Sequence, residues 1–94
     1  MNTITLNSTE IIFDRFSRNT DIADGHPNVY IVLSCDNNSQ YSDLVNVGVI
    51  NSIVVEVNGT TVYSMNNITA YVTNINESIM YDGTVRMDAT IHIE

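Results

Sequence analysis

Ninety-four residues with 44% hydrophobic content are enough for one domain and one core, and too apolar for an intrinsically disordered chain. Eleven acids stand against three arginines and no lysine, and the resulting net charge of -8 disfavours direct nucleic-acid binding and binding to anionic membranes. A single cysteine, Cys35, excludes an internal disulfide and a multi-cysteine metal site.

Ile and Val dominate the apolar residues while Leu and Ala are scarce. Branching at Cβ suits a pleated surface better than a helix, so composition predicts an all-β fold. Thirteen Asn, ten Thr and eight Ser supply turns. They also create five Asn-x-Ser/Thr sequons, at Asn7, Asn37, Asn58, Asn67 and Asn76, which are read as composition because no secretory signal follows Met1. No stretch approaches the length of a bilayer-spanning segment.

In chain order, residues 2 to 6 alternate and predict a short first strand, polar enough for a sheet edge. Glu10 to Ser17 has no clean face: Ile12, Asp14 and Phe16 share one parity, and Ile11, Phe13 and Arg15 the other. A strand is favoured there over a short helix. Arg18 to Asn28, with Pro27, Gly25 and two acids, reads as a loop. Val29 to Cys35 is apolar on both parities, as a central strand would be. Asp36 to Asp43 reads as a second polar loop, with at most one helical turn around residues 40 to 46.

Leu44 to Ile50 and Ser52 to Val57 are separated only around Gly48 to Asn51, which suggests one long strand with a bend. Asn58-Gly59 lies between two alternating runs and predicts a β-hairpin. Asn66-Asn67 is expected to turn the chain into a further strand, Ile68 to Thr73. A change of apolar parity then requires a bulge or short loop within Asn74 to Ser78. Asp82-Gly83 predicts a second hairpin turn with positive φ at its centre, leading into Val85 to Ile93. In that last strand odd positions are apolar and even ones polar, so the odd ones should anchor the interior. The sum is seven or eight strands in a small antiparallel β-sandwich, meander or barrel, forming one all-β domain over residues 1 to 94.

Candidate sites are few. A nucleophile and base would have to come from Cys35 with His26 or His92, although buried Cys is usually inert and exposed His usually solvated. Asn19, Asp21 and Asp24, or Asp36, Asn38 and Asp43, could gather oxygens around calcium, but Asx-rich turns commonly bond their own backbone. Tyr30, Tyr41, Tyr63, Tyr71 and Tyr81 could form a sugar- or protein-binding surface, and Tyr63 with Tyr71 a cross-strand pair. Arg15, Arg18 and Arg86 are solvated by default and could pair with acids of a neighbouring subunit. No residue is assigned a catalytic, cofactor-binding or metal-ligating role, and no enzyme activity is expected. Strands at both chain ends would offer backbone groups to another chain unless paired inside the fold.

The Asn/Thr/Ile/Val-rich meander, the turns Val57-Asn58-Gly59-Thr60 and Tyr81-Asp82-Gly83-Thr84, and the terminal Arg86-Met87-Asp88-Ala89-Thr90-Ile91-His92-Ile93 together resemble the small all-β structural proteins of tailed phages and prophages. The resemblance runs over the whole length and carries over no site residue. It implies a virion or assembly component, such as a capsid decoration, neck or tail protein, in the virion or host cytoplasm. Its partners would be further copies or a larger protein assembly. Two alternatives from other classes are an acidic decoy occupying the basic groove of a nucleic-acid enzyme, and a carbohydrate-binding sandwich.

Overall fold

Alternation of apolar and polar residues is realised as one antiparallel sheet in the computed structural model, which describes residues 1–36 and 40–94. The strands are β1 (Asn2–Leu6), β2 (Thr9–Phe13), β3 (Arg15–Ala23), β4 (His26–Cys35), β5 (Ile50–Val57), β6 (Thr60–Ile79) and β7 (Val85–Ile93). A short helix, α1 (Tyr41–Asn46), lies between β4 and β5. Their order across the sheet is β2-β1-β5-β6-β7-β4-β3.

The two ends of that order are consecutive in the chain. Only Asp14 separates β2, which pairs with β1, from β3, which pairs with β4. The chain from residue 9 to 23 is therefore one bent strand that closes the sheet on itself. At the bend two residues face one: the Asp14 amide donates to the Ser34 carbonyl at 3.0 Å while Arg15 pairs with the same Ser34. Such a bulge shifts the phase of a strand by one residue. Ile11 and Phe13 point inward before it and Phe16 packs on the core after it, which is why neither parity of this stretch is clean.

β6 makes the opposite corner. Straight, its 20 residues would reach about 66 Å, against a longest molecular dimension of 44 Å. The strand bends instead, pairing with β5 from Thr60 to Ala70 and with β7 from Ala70 to Ile79. Register shifts opposite Val55/Glu56 and Ile50/Ser52, and between Val72 and Asn74, supply the curvature. The expected turn at Asn66-Asn67 is absent; Asn67 takes φ 57 within the continuous strand. The expected parity change is present but falls at Thr73, one residue before the predicted segment.

The core is a contiguous cluster contributed by every strand and α1, with Ile4, Leu6, Ile11, Ile31, Leu33, Leu44, Ile50, Ile53, Met87 and Ile91 at its centre. In β7, Met87, Ala89 and Ile91 are buried and Asp88 is exposed, as the alternation requires. Both terminal strands are interior: β1 lies between β2 and β5, and β7 between β6 and β4. The expectation that β1 is an edge is thus corrected, and neither terminal strand offers the open edge that strand addition would need.

Three further corrections follow from turn chemistry. Arg18 to Asn28 is a hairpin arm: Asp24 (φ 53) and Gly25 (φ 76) form a two-residue turn between the paired Ala23 and His26. Pro27 is tolerated there because pairing of β4 with β7 stops at Val29 and Ile93, so its missing donor points where no strand of the sheet lies. Leu44 to Asn46 is helical rather than extended, and Gly48 (φ 71) turns the chain into β5. At the β6–β7 turn only Gly83 has positive φ, since a bond from the Gly83 amide to the Met80 carbonyl closes a tight turn whose last residue is left-handed. The Asn58-Gly59 turn is as expected, with φ 51 and 83.

Candidate functional site

Each corner strand bonds one neighbour on one edge over half its length and another on the opposite edge over the rest. Four half-edges are left. Two lie at the end of the barrel that holds α1. There the Gln40 side chain accepts from the Ile12 amide at 2.6 Å and donates to the Ile12 carbonyl at 2.8 Å, standing in for a paired strand along β2. Gln40 is buried, as is Leu44 of α1, which inserts beside Val72 of β6.

The other end is open. It carries the tips Asp24-Gly25 and Asn58-Gly59 and the beginning and end of the chain. The Met1 amino group donates to Asn58 Oδ1 at 2.9 Å, and the Glu94 amide donates to the Thr69 carbonyl at 2.8 Å. No strand among the described residues pairs with the outer edge of β3. Just inside, Phe16 stacks at 5.4 Å on Tyr63, and the Arg18 guanidinium lies 5.1 Å over that ring. Tyr63 therefore packs across the barrel. It shares strand β6 with Tyr71, so the cross-strand pair between them does not exist.

The outward face of β3, β4 and β7 holds a polar cleft of about 370 Å³ lined by Arg15, Ser17, Asn19, Tyr30, Ser34 and Asp88, among others. Ser34 donates to Asp88 Oδ1 at 2.6 Å. Alongside, register places Tyr30, His92 and Tyr71 in one row across β4, β7 and β6. Period-two alternation alone gives no hint of this row, because it depends on which strands are neighbours.

At the bend, Arg86 grips Asp14 with two bonds of 2.6 and 3.1 Å. The guanidinium holds the Asp14 carboxyl below the usual carboxylate range, and Asp14 in turn raises Arg86. Asp82 is also lowered, by the Thr84 amide and hydroxyl. Burial pushes the Cys35 thiol up.

The remaining candidates do not converge. Cys35 points into the core opposite Met87, His92 lies on the outward face opposite Tyr30, and His26 is at the arm tip. Asn19 and Asp21 are held extended in β3 with Asp24 in the tip, so no loop wraps a cation there. Asn38, of the second proposed calcium set, lies outside the described residues, as does Asn37. Among the described residues no group of three or more His, Cys, Asp or Glu is placed to hold a metal. Apolar side chains are concentrated at the β6–β7 tip, where Ile79 is 77% exposed and Tyr81 fully exposed. The sequence matches no family model and no curated protein.

Proposed function

We propose that this is a non-enzymatic structural or interaction protein that acts through contacts of its β-surface with further copies or a larger assembly, as a virion component of the tailed-phage kind does. The observation that supports it best is the open nine-residue edge of β3, beside an end of the barrel where no side chain among the described residues seals the sheet as Gln40 does at the other. Open edges of this length pair readily with other strands. The exposed apolar tip at Ile79, Met80 and Tyr81 adds a second contact surface. Light scattering behind size-exclusion chromatography tests the reading. Mass is expected to rise with concentration, and a strict monomer with no affinity for a larger particle counts against it.

The row of Tyr30, His92 and Tyr71 beside the polar cleft favours carbohydrate binding as the second reading. Under it, oligosaccharides shift the amide resonances of β4 and β7, and Tyr30→Ala abolishes the shifts; silence across a broad glycan panel removes it. The decoy reading has less support. Acids are spread over β2, β3, β5, β6, β7, α1 and the turns, with no single acidic element.

A further inference from the structure

We infer that the open edge of β3 is occupied by β3 of a second copy, antiparallel about a two-fold axis through Asn19. This rests on the assembly reading and names its first contact.

The edge can be read residue by residue. Ala23 and His26 flank a two-residue turn, so they form a hydrogen-bonded pair, and alternate residues of β3 back to Arg15 also bond β4. Phe16, Arg18, Thr20 and Ile22 therefore direct their backbone groups to the open side. Four residues with outward donors and acceptors are a full strand's worth of pairing.

β3 carries charges of both signs, Arg15 and Arg18 with Asp21, and an exposed apolar residue, Ile22. A second β3 laid antiparallel beside it can therefore set an acid near an arginine and an apolar side chain against an apolar one.

Symmetry then selects the register. Opposed residues must share a face, so the axis passes through a residue and not between two. An axis at Arg18 sets that arginine against its own copy. An axis at Thr20 sets Phe16 against the partner's Asp24. The axis at Asn19, the midpoint of Arg15–Ala23, overlaps the strands completely. It places Phe16 opposite the partner's Ile22, a residue 73% exposed in one copy. Asp21 falls opposite the partner's Ser17 and diagonal to the partner's Arg15, within reach of a long side chain. Arg18 faces the partner's Thr20, drawn aside by its stacking on Tyr63. No like charges are directly opposed, and the one like pair on a diagonal, Arg18 with the partner's Arg18, is parted because each guanidinium stacks on Tyr63 of its own copy.

Two variants test the seam. Across the axis the two Asn19 residues form a non-hydrogen-bonded pair with Cα atoms about 4.5 Å apart, inside the range a disulfide spans. Asn19→Cys is expected to convert to a covalent dimer under mild oxidation, while the wild-type chain, whose Cys35 is buried, does not. Thr20→Pro deletes a donor that the single copy does not use and is expected to raise the dimer dissociation constant at least about tenfold with an unchanged circular dichroism spectrum. Should that variant fail to fold, Ile22→Lys at its exposed position breaks the seam without touching the core. Higher-mass species in which Asn19→Cys does not cross-link and neither variant alters the mass would overturn the seam and leave the assembly reading standing. A wild-type monomer at every concentration would overturn both.

Discussion

Gln40 seals a sheet edge with a side-chain amide. One carboxamide offers a donor and an acceptor at nearly the spacing of a backbone residue, so it satisfies both Ile12 groups at once. Gln40→Ala leaves those half-buried groups without their partner and should cost about 1–3 kcal/mol, read as a lower urea midpoint with unchanged slope. Asp14 makes a different prediction. Its proton is held less tightly in the folded chain than in the unfolded one, so the Arg86 pair adds stability that is complete above about pH 5 and fades as pH falls below about 4. Asp14→Asn should flatten that acid limb and leave the pH 6 to 8 plateau level. The Cys35 thiol, buried against the Met87 carbonyl, should react with thiol reagents only as fast as the protein unfolds. Reaction at the rate of an exposed thiol would contradict its placement.

Among elements, β7 was fully legible because apolar and polar residues alternate along its whole length, and Met87, Ala89 and Ile91 on the apolar parity are buried. Short-range turn chemistry was equally readable at Asn58-Gly59, where two successive positive φ values need residues that tolerate them. The same chemistry stands at Asp24-Gly25, yet Pro27 two residues on argues for a loop. Only the finding that β7 stops short of Pro27 shows why a strand survives there. Asn66-Asn67 misleads in the opposite direction: a turn signal becomes a kink inside β6, because pairing on both flanks outweighs a local preference. α1 was legible only as at most one helical turn around residues 40 to 46, and its end from Leu44 to Asn46 reads as strand because Leu44, Val45 and Val47 are apolar. Its importance lies in Leu44, and Leu44→Ala should destabilise by about 2–5 kcal/mol through the lost packing at that end of the barrel. A loss below 0.5 kcal/mol would mean that α1 merely covers the surface.

Taken whole, the molecule is a barrel folded at two corners, shut at one end by α1 and Gln40 and open at the other between two hairpin arms. The asymmetry of those ends was hidden from the sequence, since it follows from which strand lies beside which. The class of fold needed only periodicity and composition; the cleft, the Tyr30–His92–Tyr71 row and the β3 edge needed topology. The central claim is that the edge of β3 is open in one copy and filled by another. Residue-resolved amide hydrogen exchange at low and high protein concentration measures this directly. Amides of Ser17, Asn19 and Asp21, bonded to β4, should be protected at both concentrations, while those of Arg18, Thr20 and Ile22 exchange rapidly when dilute and become protected when concentrated. Even-numbered amides that are protected in dilute solution, or remain unprotected at high concentration, would contradict the account.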